Sequence, residues 1–357
     1  MKKFSKIFIY IVCIGLVLTG AVYATTKIAK NINKTKNKGI VKLTPTFTSS
    51  IGNTDINSIW VGSFQLAWNE LINLVGEDIE FEGNYSDLEK LLNEKNFDKT
   101  MINEKDYYIK VGVTSEKLKN EIENDVQKKF GAGENILSNI NFKNNNSYSL
   151  YSYINKHFNF LVPFDEMKNK DSFNGSEKKY RYFGVDSENM ESFKNSVDIL
   201  FYNNESDFAI KLSTIEGDEI ILYLNDSCDM SFKDIYSEIL DKQRNYVGEN
   251  KIDWGDILEI PYINFETMIN YSELCGKTLG KSNVYLANAI QSIQFYLDRT
   301  GGGIISEAVI RAQTFSTEGV KKKLKFNRSF VLLIKEKDAE IPYFSMKVND
   351  ESILVEN

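Results

Sequence analysis

The chain has 357 residues, of which 42% are hydrophobic and 13% aromatic, and its formal net charge is −7. These values supply enough apolar side chains for a large buried core and exclude an intrinsically disordered protein. The acidic balance indicates no nucleic-acid partner. The three cysteines form no CxxC or Cys/His cluster, so neither a metal nor a cofactor is predicted. Cys13 lies in the N-terminal leader, and Cys228 and Cys275 either form a disulfide or remain as buried thiols, which the sequence favours.

The first 24 residues have the pattern of an export signal. Residues 1–6 are positively charged, residues 7–24 are apolar, and Val22-Tyr-Ala24 is an acceptable cleavage site. Because the apolar run approaches the minimum length of a membrane span, an uncleaved anchor through residues 7–24 is the alternative. Both interpretations predict an extracellular or cell-surface protein. Residues 25–52 are predicted to be a flexible tether, and residues 53–357 a single domain.

The N-terminal part of this domain is predicted to be helical. Residues 86–97 open with the capping-box pattern Ser86-Asp-Leu-Glu89, and residues 116–130 are charged and amphipathic. A further helix, with Gly76 as its stop signal, is indicated by apolar residues at helical spacing, namely Trp60, Phe64, Ala67, Trp68, Leu71 and Val75. The two tryptophans are interpreted as core residues.

The remainder of the domain is predicted to be mostly β-strand. Residues 208–213 and 220–224 flank the turn Glu216-Gly-Asp-Glu219 and predict a hairpin, which a short helix over residues 232–240 follows. The pattern of helices early and strands late predicts an α+β domain. Further strands are predicted over residues 107–113, 135–142, 148–164, 180–185, 257–265 (with Pro261 suited to a sheet edge) and 286–297.

A long polar segment near the C-terminus interrupts this pattern. Residues 295–298 are predicted to end a strand, and residues 326–334 and 343–348 to form a closing hairpin. Between them, residues 299–325 open with three glycines and continue through Lys321-Lys-Lys323, which alone would indicate a solvated loop. Loops of this length in a compact domain are uncommon and are usually functional or disordered. We therefore expect this loop to carry the function.

The sequence provides little for a catalytic centre. A nucleophile needs a base and an orienting group within reach, and the only histidine, His157, lacks the Gly-x-Ser-x-Gly context of a nucleophile elbow. The three glycines lack the Lys-Ser/Thr ending of a phosphate-binding loop and the spacing of a dinucleotide fingerprint. Neither an enzyme nor a catalytic residue is predicted.

Several blocks of the sequence resemble the serpins. Residues 325–338 and 341–350 resemble the serpin ending, in which F-N-x-P-F leads into two strands, with Ser329 in place of the proline. Residues 287–301 resemble the strand that runs into the serpin hinge. Supporting similarities of order and spacing occur over residues 57–76, 151–173, 200–225 and 258–279. The resemblance implies an α+β fold with a large central, mostly antiparallel sheet, a second sheet, N-terminal helices and an exposed C-terminal reactive-type loop.

One departure distinguishes the chain from other serpins. Residues 129–142 resemble the strand before the sheet-covering helix of the family, but the next predicted strand begins at Tyr148. This spacing leaves no room for the covering helix. The chain is thus identified as a divergent, bacterial-type member of the family without it.

The resemblance places residues 299–325 at the reactive-loop position. Inhibitory serpins offer this loop as bait to a protease, and the cut hinge then inserts into the central sheet as a new strand. The implied function is a monomeric, exported or membrane-tethered inhibitor of a serine or cysteine protease. Counting from the hinge places the reactive bond at Phe315–Ser316, which we prefer, whereas counting back from Phe326 places it near Glu318–Gly319. The hinge residues are Thr300, Gly301, Gly302, Gly303, Ile304, Ser306 and Ala308.

Two alternatives remain open. The first is a non-inhibitory serpin-fold surface protein that binds a partner, because glycines weaken strand formation and the bulky isoleucines after them slow insertion. The second is an unrelated α+β envelope protein with a disordered loop.

Overall fold

The structure, a computed structural model, describes residues 41–52, 55–81, 88–131, 137–143, 146–168, 171–185, 190–224, 230–279, 284–302 and 322–356. The predicted export signal, residues 25–40 of the predicted tether, the predicted hinge from Gly303 onward and the predicted Phe315–Ser316 reactive bond lie outside these residues. The described helices are α1 (Ser63–Val75), α2 (Leu88–Asn93), α3 (Glu116–Phe130) and α4 (Phe232–Asn245). The described strands are β1 (Val41–Leu43), β2 (Asn57–Val61), β3 (Tyr107–Val113), β4 (Ser147–Ile154), β5 (Phe158–Asn159), β6 (Asp165–Glu166), β7 (Tyr182–Val185), β8 (Val197–Asn204), β9 (Asp207–Ser213), β10 (Asp218–Leu224), β11 (Ile257–Pro261), β12 (Ile263–Asn270), β13 (Tyr285–Leu297), β14 (Gly301–Gly302), β15 (Lys323–Lys325), β16 (Phe330–Glu336) and β17 (Phe344–Val348).

The strands form three main sheets. The seven-stranded sheet has the order β1-β2-β17-β16-β10-β9-β8. A four-stranded sheet has the order β12-β13-β4-β3, and we call it the seam sheet. It contacts the seven-stranded sheet, because Phe295 of β13 stacks on Phe344 of β17. A third sheet has the order β15-β11-β7-β6. The short strands β14 and β5 pair with each other. The predicted α+β fold is confirmed.

The closing hairpin lies inside the seven-stranded sheet. β16 pairs with β17 on one side and with β10 on the other, both antiparallel. Every residue of β17 and all but the last of β16 are buried. Strands buried on both faces have continuous rather than alternating apolar runs, which explains the sequence Val331-Leu-Leu-Ile334.

The first predicted helix begins later than the sequence indicated. Residues 57–61 form β2, so Trp60 lies on a strand, and α1 begins at Ser63. β2 pairs with β17 and β1, and this tertiary pairing of aromatic and β-branched residues outweighs the apparent helical spacing. The helix ends as predicted at Gly76, whose φ of 86° is the left-handed conformation that glycine adopts at helix ends.

The described end of the predicted tether is packed against the domain. β1 pairs in parallel with β2, and the ring centroids of Phe47 and Trp60 are 4.8 Å apart. The backbone N of Ile51 donates to the carbonyl of Met230 at 3.0 Å. The packed part of the chain therefore extends at least to Val41 and does not begin at residue 53.

Residues 137–143, which we call the strap, correct another prediction. The described part of the predicted strand over residues 135–142 forms turns instead. Leu137 and Phe142 are fully buried against α3 and against Tyr151 and Ile290 of the seam sheet. These apolar side chains pack on the face of the sheet and do not extend its edge.

Other elements differ from the predictions in their boundaries. Pro261 ends β11, which is an interior strand of the third sheet and not an edge. Ser86 and Asp87 of the predicted helix over residues 86–97 lie outside the described residues, and the described part is helical only over α2. The helix over residues 232–240 extends to Asn245, and residues 148–164 divide between β4 and β5.

Candidate functional site

The candidate site is the boundary between β13 and β4, which we call the seam. Within the seam sheet, β12 with β13 and β4 with β3 are antiparallel pairs, whereas β13 and β4 are parallel. The parallel register runs from Tyr285 opposite Ser147 to Ile293 opposite Ile154. Because both seam strands run in the same direction, one additional strand can lie antiparallel to both.

The chain reverses its direction directly after β13. The backbone N of Asp298 donates to the carbonyl of Gly301 at 2.8 Å, and the N of Gly301 donates to the carbonyl of Asp298 at 3.2 Å. Thr300 stabilises this turn, because its backbone N and its Oγ1 donate to Oδ1 of Asp298 at 2.7 and 2.6 Å. Gly301 and Gly302 therefore run antiparallel to the end of β13.

The hinge glycines lie between the end of β13 and the segment that follows β4. Gly301 pairs with Asn159 and Gly302 with Phe158, so β14 is antiparallel to β5. The backbone N of Phe160 also donates to the carbonyl of Thr300 at 2.9 Å. Gly301 and Gly302 are thus already paired as a short strand at the end of the seam.

No side chain fits at either described hinge glycine. A Cβ atom on Gly301 would lie 2.2 Å from the carbonyl oxygen of Phe158, and the φ of Gly301 is 140°. A Cβ atom on Gly302 would lie 2.5 Å from the Phe158 ring and 2.8 Å from the carbonyl oxygen of Tyr296. Close packing at the end of the seam therefore requires these two glycines.

A buried polar cluster, which the sequence did not reveal, lies on the face of the seam towards α1. Gln291 of β13 stands opposite Ser152 of β4. Its Nε2 donates to the carbonyl of Val61 at 3.2 Å and to Oγ of Ser63 at 3.4 Å, and its Oε1 accepts from the hydroxyl of Tyr271 at 2.8 Å. Burial raises the pKa of Tyr271, so its hydroxyl remains a donor. The cluster fixes β13 to the start of α1.

The strap crosses the opposite face of the seam. Asn288 of β13 donates from Nδ2 to the carbonyl of Asn141 in the strap at 2.9 Å and to Oγ of Ser149 in β4 at 3.0 Å. Phe142 packs with Tyr151 and Ile290, one residue from each seam strand. A strand that entered the seam would have to displace these contacts.

The far end of the loop is anchored on the third sheet, because β15 pairs in parallel with β11. The described lysines of this stretch are ion-paired, unlike those of a simple solvated loop. The N···O distances are 3.6 Å for Lys322–Asp256, 2.9 Å for Lys323–Glu205 and 2.8 Å for Lys325–Glu259.

The remaining sequence candidates carry no further site. His157 is exposed, and Cys275 is a free thiol whose pKa burial raises to about 11. Cys228 lies outside the described residues. Across the ranges that the structure describes, no cluster of three or more His, Cys, Asp or Glu side chains is placed to hold a metal ion, and no helix is long and apolar enough to cross a membrane.

The sequence itself matches no protein-family model, and no curated protein matches it. Solved structures are similar. Tengpin, a thermophilic serpin in its native state, has a TM-score of 0.55 at 12% identity, over 89% of this chain and 98% of Tengpin. Serpin48 of the insect Tenebrio molitor has a TM-score of 0.49 at 13% identity, over 82% of this chain and 92% of its own. Human thyroxine-binding globulin in complex with thyroxine has a TM-score of 0.45 at 15% identity, over 83% and 92%.

These findings define the fold. The likeness to Tengpin extends over 89% of this chain and 98% of Tengpin, and the α+β arrangement of several sheets with a closing hairpin is the one implied by the sequence resemblance. The protein therefore has the serpin fold.

Proposed function

We propose that the protein inhibits a serine or cysteine protease by offering the loop over residues 299–325 as bait and inserting the cut hinge into the seam. The observation that carries this proposal is the position of Gly301 and Gly302. They are already paired antiparallel to β5 and lie at the open end of a parallel strand pair. In this role the protein is a consumed inhibitor and not an enzyme.

The gain on insertion comes from hydrogen bonding and burial. A strand between β13 and β4 replaces one parallel ladder by two antiparallel ladders, and antiparallel pairing is somewhat more stable per residue. Each net ladder hydrogen bond contributes about 0.5–1.5 kcal/mol. The intact loop can make these bonds over its full length only if β15 also leaves β11, which raises the barrier to insertion before cleavage. Cleavage releases the hinge side from this anchor.

The loop sequence suits insertion by its alternation. If Gly302 faces the core, the inward set continues with Ile304, Ser306, Ala308 and Ile310, all of which are apolar or small. The outward set contains Glu307 and Arg311, whose charges remain in water. This alternation supports insertion even though the hinge contains glycines and isoleucines.

We further propose Phe315–Ser316 as the reactive bond, which would suit a protease with a deep apolar pocket. The protein would act outside the cell as a monomer, either secreted or held at the membrane by residues 7–24. The predicted export signal over residues 1–24 supports this location.

The test is to incubate the full-length protein with chymotrypsin and with other serine and cysteine proteases, and to separate the products on a denaturing gel. A covalent adduct with the protease is expected. Phe315→Ala should abolish the adduct with chymotrypsin, whereas Glu318→Ala, at the alternative bond, should retain it.

Two other outcomes would count against inhibition. Clean cleavage at Phe315, without an adduct and without a rise in thermal stability, would contradict both bait and insertion. Cleavage without an adduct but with a large rise in stability would show insertion without inhibition, and would favour the non-inhibitory alternative.

A further inference from the structure

A buried ion cluster lies just after β4, close to the hinge. Nζ of Lys156 is 2.6 Å from Oδ2 of Asp106, 3.1 Å from Oδ1 of Asp218 and 3.5 Å from Oε1 of Glu336. The side chains of Lys156, Asp106 and Asp218 are 9%, 8% and 1% exposed. The hydroxyl of Tyr343 donates to the same oxygen of Asp218 at 3.2 Å. Sequence inspection did not indicate this cluster, because its members are far apart in the chain.

The cluster connects two sheets. Lys156 follows β4 and Asp106 precedes β3, so both belong to one half of the seam sheet. Asp218 begins β10 and pairs with Glu336 at the end of β16, so both belong to the seven-stranded sheet. The backbone N of Asn103, which also precedes β3, donates to Oε1 of Glu336 at 2.6 Å. Glu336 thus contacts the β3–β4 half twice.

The other half of the seam sheet is joined to the rest of the protein independently. Phe295 of β13 stacks on Phe344 of β17 with ring centroids 4.6 Å apart. Ile263 of β12 forms a backbone bridge with Leu354. A strand that enters the seam must therefore move β3 and β4 away by about one strand spacing, ~4.8 Å.

We propose that Lys156, Asp218 and Glu336 form a lock that holds the seam closed until the loop is cut. This inference rests on the proposed insertion and assigns its regulation. When β4 moves, Lys156 keeps its partner Asp106, which moves with it, but leaves Asp218 and Glu336 behind. Asp218 is then a buried carboxylate without its cation, and such separation of a buried pair is strongly unfavourable. The lock raises the barrier to premature insertion.

The charges of the cluster are consistent with this role. Burial alone would lower the pKa of Lys156, but the Asp218 and Asp106 carboxylates outweigh it and raise the pKa, so the amine is a cation at neutral pH. Burial raises the pKa of Asp218, and Lys156 opposes that shift. Lys156 therefore stabilises the ionised form of the buried Asp218 carboxylate.

The test follows the conversion of uncut, full-length protein to a more heat-stable form during incubation below its unfolding temperature. Asp218→Asn keeps the side-chain shape but removes the stationary charge, and should convert about tenfold faster than wild type or more. Asp106→Asn should convert no faster, because Asp106 moves together with Lys156. Asp207→Asn is the matched control for net charge, since Asp207 pairs with Lys242, 2.8 Å away, outside this cluster. It should convert at the wild-type rate.

Wild-type protein cut by chymotrypsin separates failure of the lock from failure of the proposed function. If the cut protein is stabilised, the loop inserts. The lock is then wrong if Asp218→Asn converts at the wild-type rate, or if Asp106→Asn accelerates conversion as much as Asp218→Asn does. If the cut protein is not stabilised, both the proposed insertion and the proposed lock are wrong. Should Asp218→Asn fail to fold, Glu336→Gln, at a side chain that is 31% exposed, is expected to convert several-fold faster, and a wild-type rate would overturn the lock.

Discussion

Gln291→Leu should destabilise the native protein by about 2–4 kcal/mol. The substitution approximately preserves side-chain size but removes the acceptor of the Tyr271 hydroxyl and the donor to the carbonyl of Val61. A buried hydroxyl that loses its partner costs about 1–3 kcal/mol, and the second lost hydrogen bond adds about 0.5–1.5 kcal/mol. Leucine makes no hydrogen bond in place of the lost ones, and because residue 291 is only 1% exposed, water cannot reach the groups left without a partner.

Urea unfolding of full-length wild type and variant, monitored by fluorescence, measures this loss. Gln294→Leu is the matched control, since Gln294 lies on the same strand with a half-buried side chain, and it should change stability by less than about 1 kcal/mol. The explanation of the polar cluster would be refuted if Gln291→Leu cost no more than Gln294→Leu.

Three further predictions concern the hinge and a helix cap. Gly301→Ala should cost about 2 kcal/mol or more, because its Cβ would meet the Phe158 carbonyl. The cost should exceed that of Gly217→Ala, which has a positive φ but open space, and equal shifts in melting temperature would contradict the close packing. At α4, Ser231 accepts from the backbone N of Asp234 at 3.1 Å, and Ser231→Ala should cost about 1 kcal/mol in urea unfolding. Hydrogen bonds from the Ser231 side chain and backbone lower the pKa of Asp234 below its ordinary value of 3.8. The free energy of unfolding of wild type should therefore exceed that of Asp234→Asn by a constant amount at pH values well above 3.8. This difference should decline as the pH falls through the lower pKa of the folded state, and a difference that persists in acid would contradict this cause.

Local sequence signals were sufficient for several elements. The helix over residues 116–130 was predicted with its observed bounds, because its amphipathic period is regular and Gly131 ends it in the left-handed conformation. The β9–β10 hairpin, β3 and the strand into the hinge were predicted from alternation and turn residues.

The features that were predicted wrongly from the sequence depend on long-range pairing. Trp60 lies on a strand because it pairs with β17, which is almost 300 residues away in the sequence. The strap covers the sheet because its apolar side chains pack against α3. Neither pairing has a local signal. Propensity describes a segment alone, whereas these segments are stabilised by what they touch.

The sequence by itself determined the class of fold, the position of the loop and the place of its glycines. Only the tertiary structure showed that β13 and β4 are parallel neighbours, that Gly301 and Gly302 have no room for a side chain, and that Lys156 holds carboxylates from residues 106, 218 and 336. The physical reason is that period and composition act over a few neighbouring residues, whereas strand direction, close packing and buried charge pairing depend on which distant segments meet.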